Sequence, residues 1–497
     1  MSVEMTSSSS SLRCMPAPSA ALIAAWLAIC VALAGFAIAL LLFGEQFAWH
    51  RRLKDIPALW LAGGLFAAGL VYALIVPLIH WTLRSGPASR RIALCLVLLT
   101  GLVLRLMMIQ ATPALEDDFY RYLWDGAVTA EGHNPYALAP ARARASDAPP
   151  GVQQLAKQGA LVLERVNHPQ LKTIYPPVSM AAFALAYWIE PWSLRAWRLV
   201  CLLGECLSVA LILLLLGRLG RSQLWAALYW LNPLVIKELM NSGHMEAIVL
   251  PFVLGALLLL VQRRPVLASV SIGLAIGAKL WPVMLLPLIL RPLLAKPKRL
   301  LAALSLLALM AVAWALPPWL GGLGSDSGFV AYATYWQTNS ALFQSLQNAA
   351  RLLASSFDVA RETPGMVVRL AAAATVAGFA IWLVRDDRDE PNTIVQRAGL
   401  IVLALFLLSP AQFPWYACWL LIFAPLVPLG VHVGITVFLP LYYVSFYLIG
   451  IGDHDRFNPW LVWLEWLPIW AFLLCDAWRA WRQPLAVDLG AGKGCQI

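Results

Sequence analysis

Long apolar runs separated by short polar stretches fill most of the chain, which has 497 residues. Hydropathy indicates about 14 such runs, and most of them are long enough to cross about 30 Å of hydrocarbon. The pattern predicts an all-α integral membrane protein, because a helix satisfies its backbone hydrogen bonds within one segment. The predicted spans are centred near Ala32, Phe66, Leu98, Ser208, Trp230, Leu254, Ile272, Pro287, Leu307, Thr375, Leu403, Phe423, Leu439 and Trp470.

Composition agrees with this class and excludes others. The chain is 61% hydrophobic and 12% charged, whereas a soluble domain carries about 25% charged residues. The net charge of +10 does not indicate nucleic-acid binding, because the basic residues lie in short clusters between apolar runs. The 8 cysteines are scattered without the spacing of a metal site. Composition therefore leaves membrane functions as the candidates.

The basic clusters predict the orientation in the membrane, since cytoplasmic loops are enriched in Lys and Arg. Clusters on one predicted side contain Arg84, Arg90, Arg91, Arg218, Arg221, Arg263, Arg264, Lys296, Lys298, Arg299, Arg385, Arg388, Arg479 and Arg482. We assign that side to the cytoplasm and the protein to the inner membrane. The loop with Arg51, Arg52 and Lys54 is the exception, because it falls on the extracytoplasmic side.

The segment 111–180 is too long for a structureless loop, and loops of this length are usually functional. We expect it to form an extracytoplasmic catalytic loop with short amphipathic helices. The remaining predicted segments are a disordered cytoplasmic N-terminus at 1–18, N-terminal transmembrane helices at 19–110, a transmembrane bundle at 181–480 with extracytoplasmic loops at 318–365, 409–416 and 452–459, and a cytoplasmic tail at 481–497. The runs near Ile272 and Pro287 are interrupted by Gly and Pro and predict a broken hairpin.

An acidic cluster opens the segment 111–180, in the stretch LEDDFYRYLWDG. Adjacent carboxylates repel each other, and partial burial raises the pKa of at least one of them. A carboxyl tuned in this way suits a general base acting on a hydroxyl, so Asp117 and Asp118 are candidate catalytic residues. The alternative is a solvated helix cap, because acidic residues favour the first turn of a helix.

Other polar residues fall within or beside apolar runs. Lys279 lies deep in such a run, where an ionisable side chain needs an anionic partner, and a phosphate at membrane level would supply one. His244 lies at the end of a span beside Glu246. Trp336 and Asn339, and Trp415 with Tyr416, offer aromatic and hydrogen-bonding groups for a sugar. The alternatives are a salt-bridged lysine, a polar helix cap and interfacial aromatic anchors.

Several motifs in order resemble the polytopic glycosyltransferases of the GT-C superfamily, over about residues 90–480. The motifs are EDDFYRYLWDG, GHNPY, NHPQLKTIYPP, NPLVIKELMNSGHMEA, AKLWP and SPAQFPWYACW. The most similar groups are the polyprenol-phosphate-mannose-dependent mannosyltransferases and glycosyltransferase family 87. The resemblance implies a GT-C-like bundle of roughly 12–14 transmembrane helices whose first long extracytoplasmic loop is catalytic.

The resemblance also implies roles for residues. Asp117 matches the catalytic aspartate of a D-x-x-Y pattern, Tyr120 its tyrosine, and Asp118 the second acid. Arg121, His244 and Lys279 are the expected ligands of the donor phosphate. The expected substrate-binding residues are Tyr120, Trp124, Asn134, Tyr175, Asn241, Glu246, Asn339, Trp415 and Tyr416. The chain departs from the family in its two extra N-terminal spans and in Glu246, where the family often has Asp.

These inferences predict a membrane glycosyltransferase that moves a sugar, expected to be mannose, from a polyprenyl-phosphate donor to a lipid or glycan hydroxyl. The reaction implied by the resemblance is inverting and uses an aspartate base without a nucleotide. No cofactor is required and no metal ligand is assigned, although the EDD stretch offers carboxylates to a divalent cation. The expected partners are the donor, the acceptor and membrane lipids, with no nucleic acid. The rivals are a transporter or flippase of lipid-linked sugars and a non-catalytic scaffold.

Overall fold

The computed structural model describes residues 19–355, 362–386 and 388–482, and the described chain is helical apart from turns and one isolated bridge between Thr338 and Ala411. Helices long and apolar enough to span a membrane cover Ala20–Leu42, Ala58–Leu83, Pro87–Gln110, Leu194–Arg218, Pro297–Gly321, Thr363–Leu383, Pro391–Leu408 and Gly430–Gly450. Shorter apolar helices cover Pro177–Ile189, Glu246–Val261, Pro265–Ala278 and Trp281–Leu293. The predicted all-α membrane fold is confirmed.

Some predicted spans are broken rather than continuous. The run near Trp230 consists of the short helices Ala227–Trp230 and Pro233–Ile236 followed by the π-helix Lys237–Asn241. The run near Phe423 contains the 3₁₀ helix Pro414–Ala417 and the short helix Cys418–Leu421, whereas the run near Trp470 is the helix Val462–Arg482. Proline explains the first break, because Pro233 starts a new helix and cannot continue the previous one.

The runs near Ile272 and Pro287 also meet at a break. The helix Pro265–Ala278 ends at Lys279, whose backbone is extended, and the segment Trp281–Leu293 packs back against it. This interruption brings the ammonium group of Lys279 to the helix end, where non-helical backbone can border a cavity. The break therefore places the positive charge of Lys279 at one end of the bundle.

The segment 111–180 contains its own helices and packs on the bundle. They cover Asp118–Ala130, Pro150–Gln158 and Ala160–Glu164, with a 3₁₀ turn at Pro140–Arg142. Further helices at Gly328–Tyr335 and Ala341–Ala354 lie between two long spans. We call the end of the bundle that carries these segments the loop face.

The helix Asp118–Ala130, here called the acidic helix, packs against Pro177–Ile189. A Cβ at Gly126 would lie 2.5 Å from the backbone oxygen of Phe183, so glycine is what allows this approach. Ring stacking between Tyr122 and Phe183, with centroids 4.7 Å apart, extends the contact. The acidic helix is therefore fixed directly on the membrane bundle.

The two N-terminal spans are integrated with the rest of the bundle. The hydroxyl of Tyr72 donates to the backbone oxygen of Leu228 at 2.7 Å, and a Cβ at Gly69 would lie 2.8 Å from Cα of Val437. The loop that joins these spans reaches the loop face, as described below. The predicted segment 1–18 lies outside the described residues, as do 356–361 of the predicted loop 318–365 and 483–497 of the predicted tail.

Candidate active site

A cavity of about 790 Å³ opens at the loop face, between the segment 111–180 and the ends of the bundle helices. Part of its wall comes from residues predicted from the sequence: Asp117, Asp118, Arg121, Tyr175, Glu246, Lys279, Trp415 and Tyr416. These residues lie far apart along the chain, so folding gathers carboxylates, cations and aromatic rings around one space. Such a cavity with converging polar groups is the default location of an active site.

Glu116 fixes the start of the acidic helix. Its Oε1 accepts hydrogen bonds from the backbone N–H groups of Asp117 at 3.0 Å and Asp118 at 2.8 Å. Leu115, just before it, has a φ of 54°, a left-handed conformation that costs energy for a branched side chain. The helix-capping role considered for the acidic stretch therefore belongs to Glu116, and the side chain of Asp117 makes no capping bond.

Asn167 holds the two neighbouring carboxylates. Its side-chain amide donates to Oδ1 of Asp117 at 3.1 Å and to Oδ1 of Asp118 at 2.5 Å. Burial, followed by repulsion from Glu116, raises the pKa of Asp117 to about 6 and that of Asp118 to about 7. Burial also raises the pKa of Glu116 to about 7, against the attraction of Lys237. Carboxyls with pKa values near neutrality suit proton transfer at neutral pH.

A buried polar network lies behind the acidic cluster. Nε2 of His244 is 2.9 Å from Glu116 and 3.6 Å from Glu238. Glu238 in turn accepts a hydrogen bond from the hydroxyl of Tyr443 at 2.6 Å and lies 3.3 Å from Lys237. His244 also stacks on Trp415 with ring centroids 4.2 Å apart. His244 therefore connects the cavity wall to fixed charges within the bundle.

Within the described residues, Glu116, Asp118 and His244 can together hold a metal ion. One ligand atom from each lies within 4.8 Å of the others. Nδ1 of the buried His244 has no hydrogen-bond partner, and the 2.9 Å contact of Nε2 with Glu116 does not have hydrogen-bond geometry. Two carboxylates and an imidazole fit a divalent ion such as Mn²⁺ or Zn²⁺. These three residues of the acidic cluster are therefore suited to bind a divalent cation.

Lys279 reaches the cavity with a partner of its own. Its ammonium forms an ion pair with Glu246 and lies 4.2 Å from the ring centroid of Tyr416 and 5.1 Å from that of Trp419. The side chain of Glu246 is 1% exposed and that of Lys279 19% exposed, so the lysine is the more accessible member. The salt-bridged alternative considered from the sequence describes this geometry, and the ammonium group lies close to the aromatic wall.

Arg121 is engaged with the backbone of its own segment. Its guanidinium donates to the carbonyl oxygens of Asn167 at 3.2 Å, His168 at 2.9 Å and Leu171 at 3.1 Å. These bonds lock the stretch that carries Asn167 against the acidic helix. His168, the residue after Asn167, has a φ of 44°. Left-handed backbone therefore occurs on both chain segments that carry the acidic cluster and its asparagine, at Leu115 and at His168.

The other predicted site residues do not line the cavity: Tyr120, Trp124, Asn134, Asn241, His244 and Asn339. Trp124 is buried and stacks on Trp192. Asn134 donates to the backbone oxygen of Pro317 at 3.0 Å, and the hydroxyl of Tyr120 accepts a bond from an arginine of the same segment. These contacts join the segment 111–180 to itself and to the bundle.

The two remaining asparagines hold backbone and helices in place behind the cavity wall. Asn241 accepts a hydrogen bond from the N–H of Ala114 at 2.9 Å and donates to the carbonyl of Thr112 at 2.9 Å. Asn339 donates to Glu465 at 2.5 Å. Both position the segments that approach the cavity, and their substrate-binding role stays a prediction.

Sequence reasoning did not single out Asn167 or Glu238 as functional residues, and it considered Glu116 only as part of the EDD stretch. Asn167 stood in the quoted motif NHPQLKTIYPP, in a polar stretch of a long loop, and that was its available signal. Glu238 lies next to Lys237 at the end of an apolar run. Ionisable residues in such a position indicate a functional role.

Comparison with known proteins bears on this site. The model of the family described as "Alpha-(1->6)-mannopyranosyltransferase, N-terminal domain" matches residues 21–295, which include the acidic cluster, His244, Glu246 and Lys279. Neither a curated protein nor a solved structure matches the chain. Because the match covers more than half of the sequence, the chain belongs to this family of mannosyltransferases.

Proposed function

We propose that the protein transfers a mannosyl unit from a polyprenyl-phosphate donor to a hydroxyl group of a lipid or glycan acceptor, on the extracytoplasmic face of the inner membrane. The observation that carries the proposal is the pair Asp117 and Asp118, held by Asn167 in a cavity that also contains Lys279. The family match supplies the sugar. The basic clusters, which the sequence predicts on the opposite side of the membrane, support the assigned face.

In the proposed reaction Asp117 acts as the general base. Its carboxylate takes the proton of the acceptor hydroxyl while that oxygen forms a bond to the anomeric carbon of mannose. The bond between this carbon and the phosphate oxygen breaks, and the electron pair leaves with polyprenyl phosphate. A phosphate is a stable leaving group when its charge is compensated, so the step needs one base and cationic groups but no acid.

This arrangement also has a stereochemical consequence. A base and a leaving group on opposite sides of the anomeric carbon invert its configuration. The family description names an α-(1->6) product, and an inverting reaction gives an α product only from a β-linked donor. We therefore expect a β-mannosyl polyprenyl phosphate as donor and a primary hydroxyl at carbon 6 of a mannose as acceptor.

The aromatic wall is suited to hold the sugars. The stacked rings of Phe413 and Trp415, with centroids 4.2 Å apart, and of Tyr416 and Trp419, with centroids 4.4 Å apart, border the cavity. Flat apolar faces beside polar groups favour the carbon-bound hydrogens of a sugar ring. Lys279 lies between this wall and Glu246, where its ammonium can contact the departing phosphate.

The transfer step as proposed needs no cofactor, and a divalent cation has a suitable site at Glu116, Asp118 and His244. An ion there would supply positive charge next to the base and to the substrates. In its presence Asp118 would serve as a ligand, leaving Asp117 available as the base. Transfer measured in the presence of EDTA, and after addition of Mn²⁺ or Zn²⁺, distinguishes the two forms of the proposal.

The first test is a transfer assay with the purified protein in lipid nanodiscs. Polyprenyl phosphate carrying radiolabelled β-mannose is offered together with an oligomannose acceptor that has a free 6-hydroxyl. We expect label in a product that an α-(1->6)-specific mannosidase releases. Binding of the donor without transfer to any acceptor would contradict the enzyme and favour the scaffold, and donor movement across the bilayer would favour the flippase.

Replacement of Asn167 by alanine should shift the pH dependence of transfer. The base works when deprotonated, so activity falls as the pH drops through the raised pKa values of about 6 and 7. The amide of Asn167 stabilises the charged carboxylates, and its loss raises their pKa values further. We expect the acidic limb of the kcat/KM profile to move upward by about one pH unit, which corresponds to the loss of about 1.4 kcal/mol of hydrogen bonding to a charged group.

The control for this variant is Gln153→Ala, which removes an amide that bonds only to backbone oxygens of the same segment, among them Ala148 at 2.8 Å. It should leave the profile in place. An unchanged acidic limb in Asn167→Ala, with activity lowered equally at all pH values, would contradict the role of Asn167 in tuning the carboxylates.

A further inference from the structure

Among the Lys and Arg side chains that line the cavity in the described part of the chain, only that of Arg51 makes no hydrogen bond or ion pair. Arg121 is engaged with backbone carbonyls, and Lys279 is paired with Glu246. Lys172 lies 3.2 Å from a carboxylate oxygen and donates to two backbone carbonyls. The cavity wall therefore contains one exposed guanidinium that remains available to an anion.

The position of Arg51 along the chain sets its depth in the membrane. It lies in the loop 43–57, which joins the spans Ala20–Leu42 and Ala58–Leu83. The end of a span is at the level of the lipid headgroups. The phosphate of a polyprenyl lipid is held at this same level, because its chain stays in the hydrocarbon. Arg51 is thus located where such a phosphate must enter.

The loop 43–57 is fastened to the catalytic segment. Trp49 packs edge-to-face on Tyr120 of the acidic helix, with centroids 5.5 Å apart. A Cβ at Gly44 would lie 2.9 Å from Oγ1 of Thr112, which shows how closely the loop approaches the chain leading to the carboxylates. At its other end, a Cβ at Gly450 would lie 2.8 Å from Cα of Lys54. Arg51 is carried by a fixed loop.

Apolar side chains share the cavity wall with this cation. Phe47, Leu53 and Ile56 come from the same loop, and Phe446 comes from the helix Val444–Gly450. A guanidinium beside an apolar surface matches a phosphate attached to a hydrocarbon chain. It matches a free sugar or a nucleotide less well, since neither buries apolar area.

We propose that the loop 43–57 forms the lipid-phosphate subsite of the donor: Arg51 binds the phosphate, and Phe47, Leu53, Ile56 and Phe446 contact the first isoprene units. This inference rests on the proposed function and assigns a role to the two N-terminal spans, which the match to the family model includes, so that they are not additions to this family as the sequence suggested. It also accounts for a basic loop on the predicted extracytoplasmic side, against the usual charge distribution, because a substrate anion requires the charge there.

The test compares Arg51→Gln with Arg52→Gln. Arg52 is the matched control, because it lies in the same loop, is absent from the cavity wall and pairs with Asp55 at 3.0 Å. For Arg51→Gln we expect the KM of the donor and the inhibition constant of sugar-free polyprenyl phosphate to rise by about 10- to 100-fold, as for loss of a charged hydrogen bond. Inhibition by polyprenol, which lacks the phosphate, should not change, and Arg51→Lys should recover part of the affinity.

The outcomes separate this inference from the proposed function. Wild-type transfer with unchanged donor KM in Arg51→Gln would overturn the subsite and leave the function standing. Absence of transfer, with polyprenyl phosphate binding still weakened by Arg51→Gln, would overturn the function and support the subsite. Absence of polyprenyl phosphate binding to the wild type would overturn both. Equal competition by phosphatidylglycerol would also overturn the subsite, because Arg51 would then bind any lipid phosphate.

Discussion

The Asp117→Asn variant should lose transfer by about 100- to 10,000-fold, the range associated with removal of a general base. The amide keeps the size and the hydrogen-bonding shape of the side chain but cannot accept the proton of the acceptor hydroxyl. The thermal stability of the protein should not decrease. Burial and the neighbouring Glu116 raise the pKa of Asp117 to about 6, so removing its charge relieves a repulsion. The measurement is initial transfer rate together with thermal unfolding of the same preparation.

The control for Asp117→Asn is Asp147→Asn. Asp147 is a carboxylate of the same segment that pairs with Arg142 at the surface, where its side chain is 64% exposed, and its loss should leave turnover unchanged. Asp118→Asn, measured in parallel, identifies which member of the pair takes the proton. Near-normal turnover in Asp117→Asn, with complete loss in Asp118→Asn, would transfer the role of the base to Asp118.

The second large effect is expected at the ion pair of Lys279 and Glu246. Replacing Lys279 by methionine leaves the carboxylate of Glu246, which is 1% exposed, without its partner. Breaking a buried pair on one side costs about 3–5 kcal/mol, so Lys279→Met should lower the unfolding temperature sharply. Transfer should fall as well, because the cavity wall loses a cation near the departing phosphate. Thermal unfolding and donor kinetics measure the two effects separately.

The double variant Lys279→Met/Glu246→Gln decides between a structural and a functional lysine. Neutralising both partners removes the uncompensated charge, and most of the lost stability should return. Transfer should stay at least about tenfold below wild type, the loss expected for one charged contact to phosphate. Recovery of full activity along with stability would show that Lys279 serves the fold alone.

The long membrane-spanning helices could be predicted from the sequence, because they depend on the hydropathy of consecutive residues. Apolar runs and their length determine helices in a bilayer, since every backbone group must be satisfied within its segment. The sequence predicted the break after Ala278, where Gly and Pro interrupt the run, but it did not predict the break at Pro233. The acidic stretch at Asp117 and Asp118 was visible for the same reason, because carboxylates at the end of an apolar run are expensive and uncommon.

Pairing between distant side chains could not be read in this way. Asn167 lies 50 residues from Asp117 and 49 from Asp118 along the chain, and Glu246 lies 33 residues from Lys279. The sequence indicated that Lys279 needs an anion but not which one, because an ion pair depends on distance in space. Asn134, Asn241 and Asn339 illustrate the converse, since each stood in a suggestive motif and none of them lines the cavity.

The sequence by itself determined the class of the protein, its long helical spans and the acidic stretch, because hydropathy and adjacent charges act over a few residues. Only the tertiary structure decided which acidic residue caps a helix, which basic side chains are paired, and which loops border the same cavity. Glu116 caps, Lys279 is paired and Arg51 is free. These properties depend on contacts between segments that are distant in the sequence and adjacent only in the folded bundle.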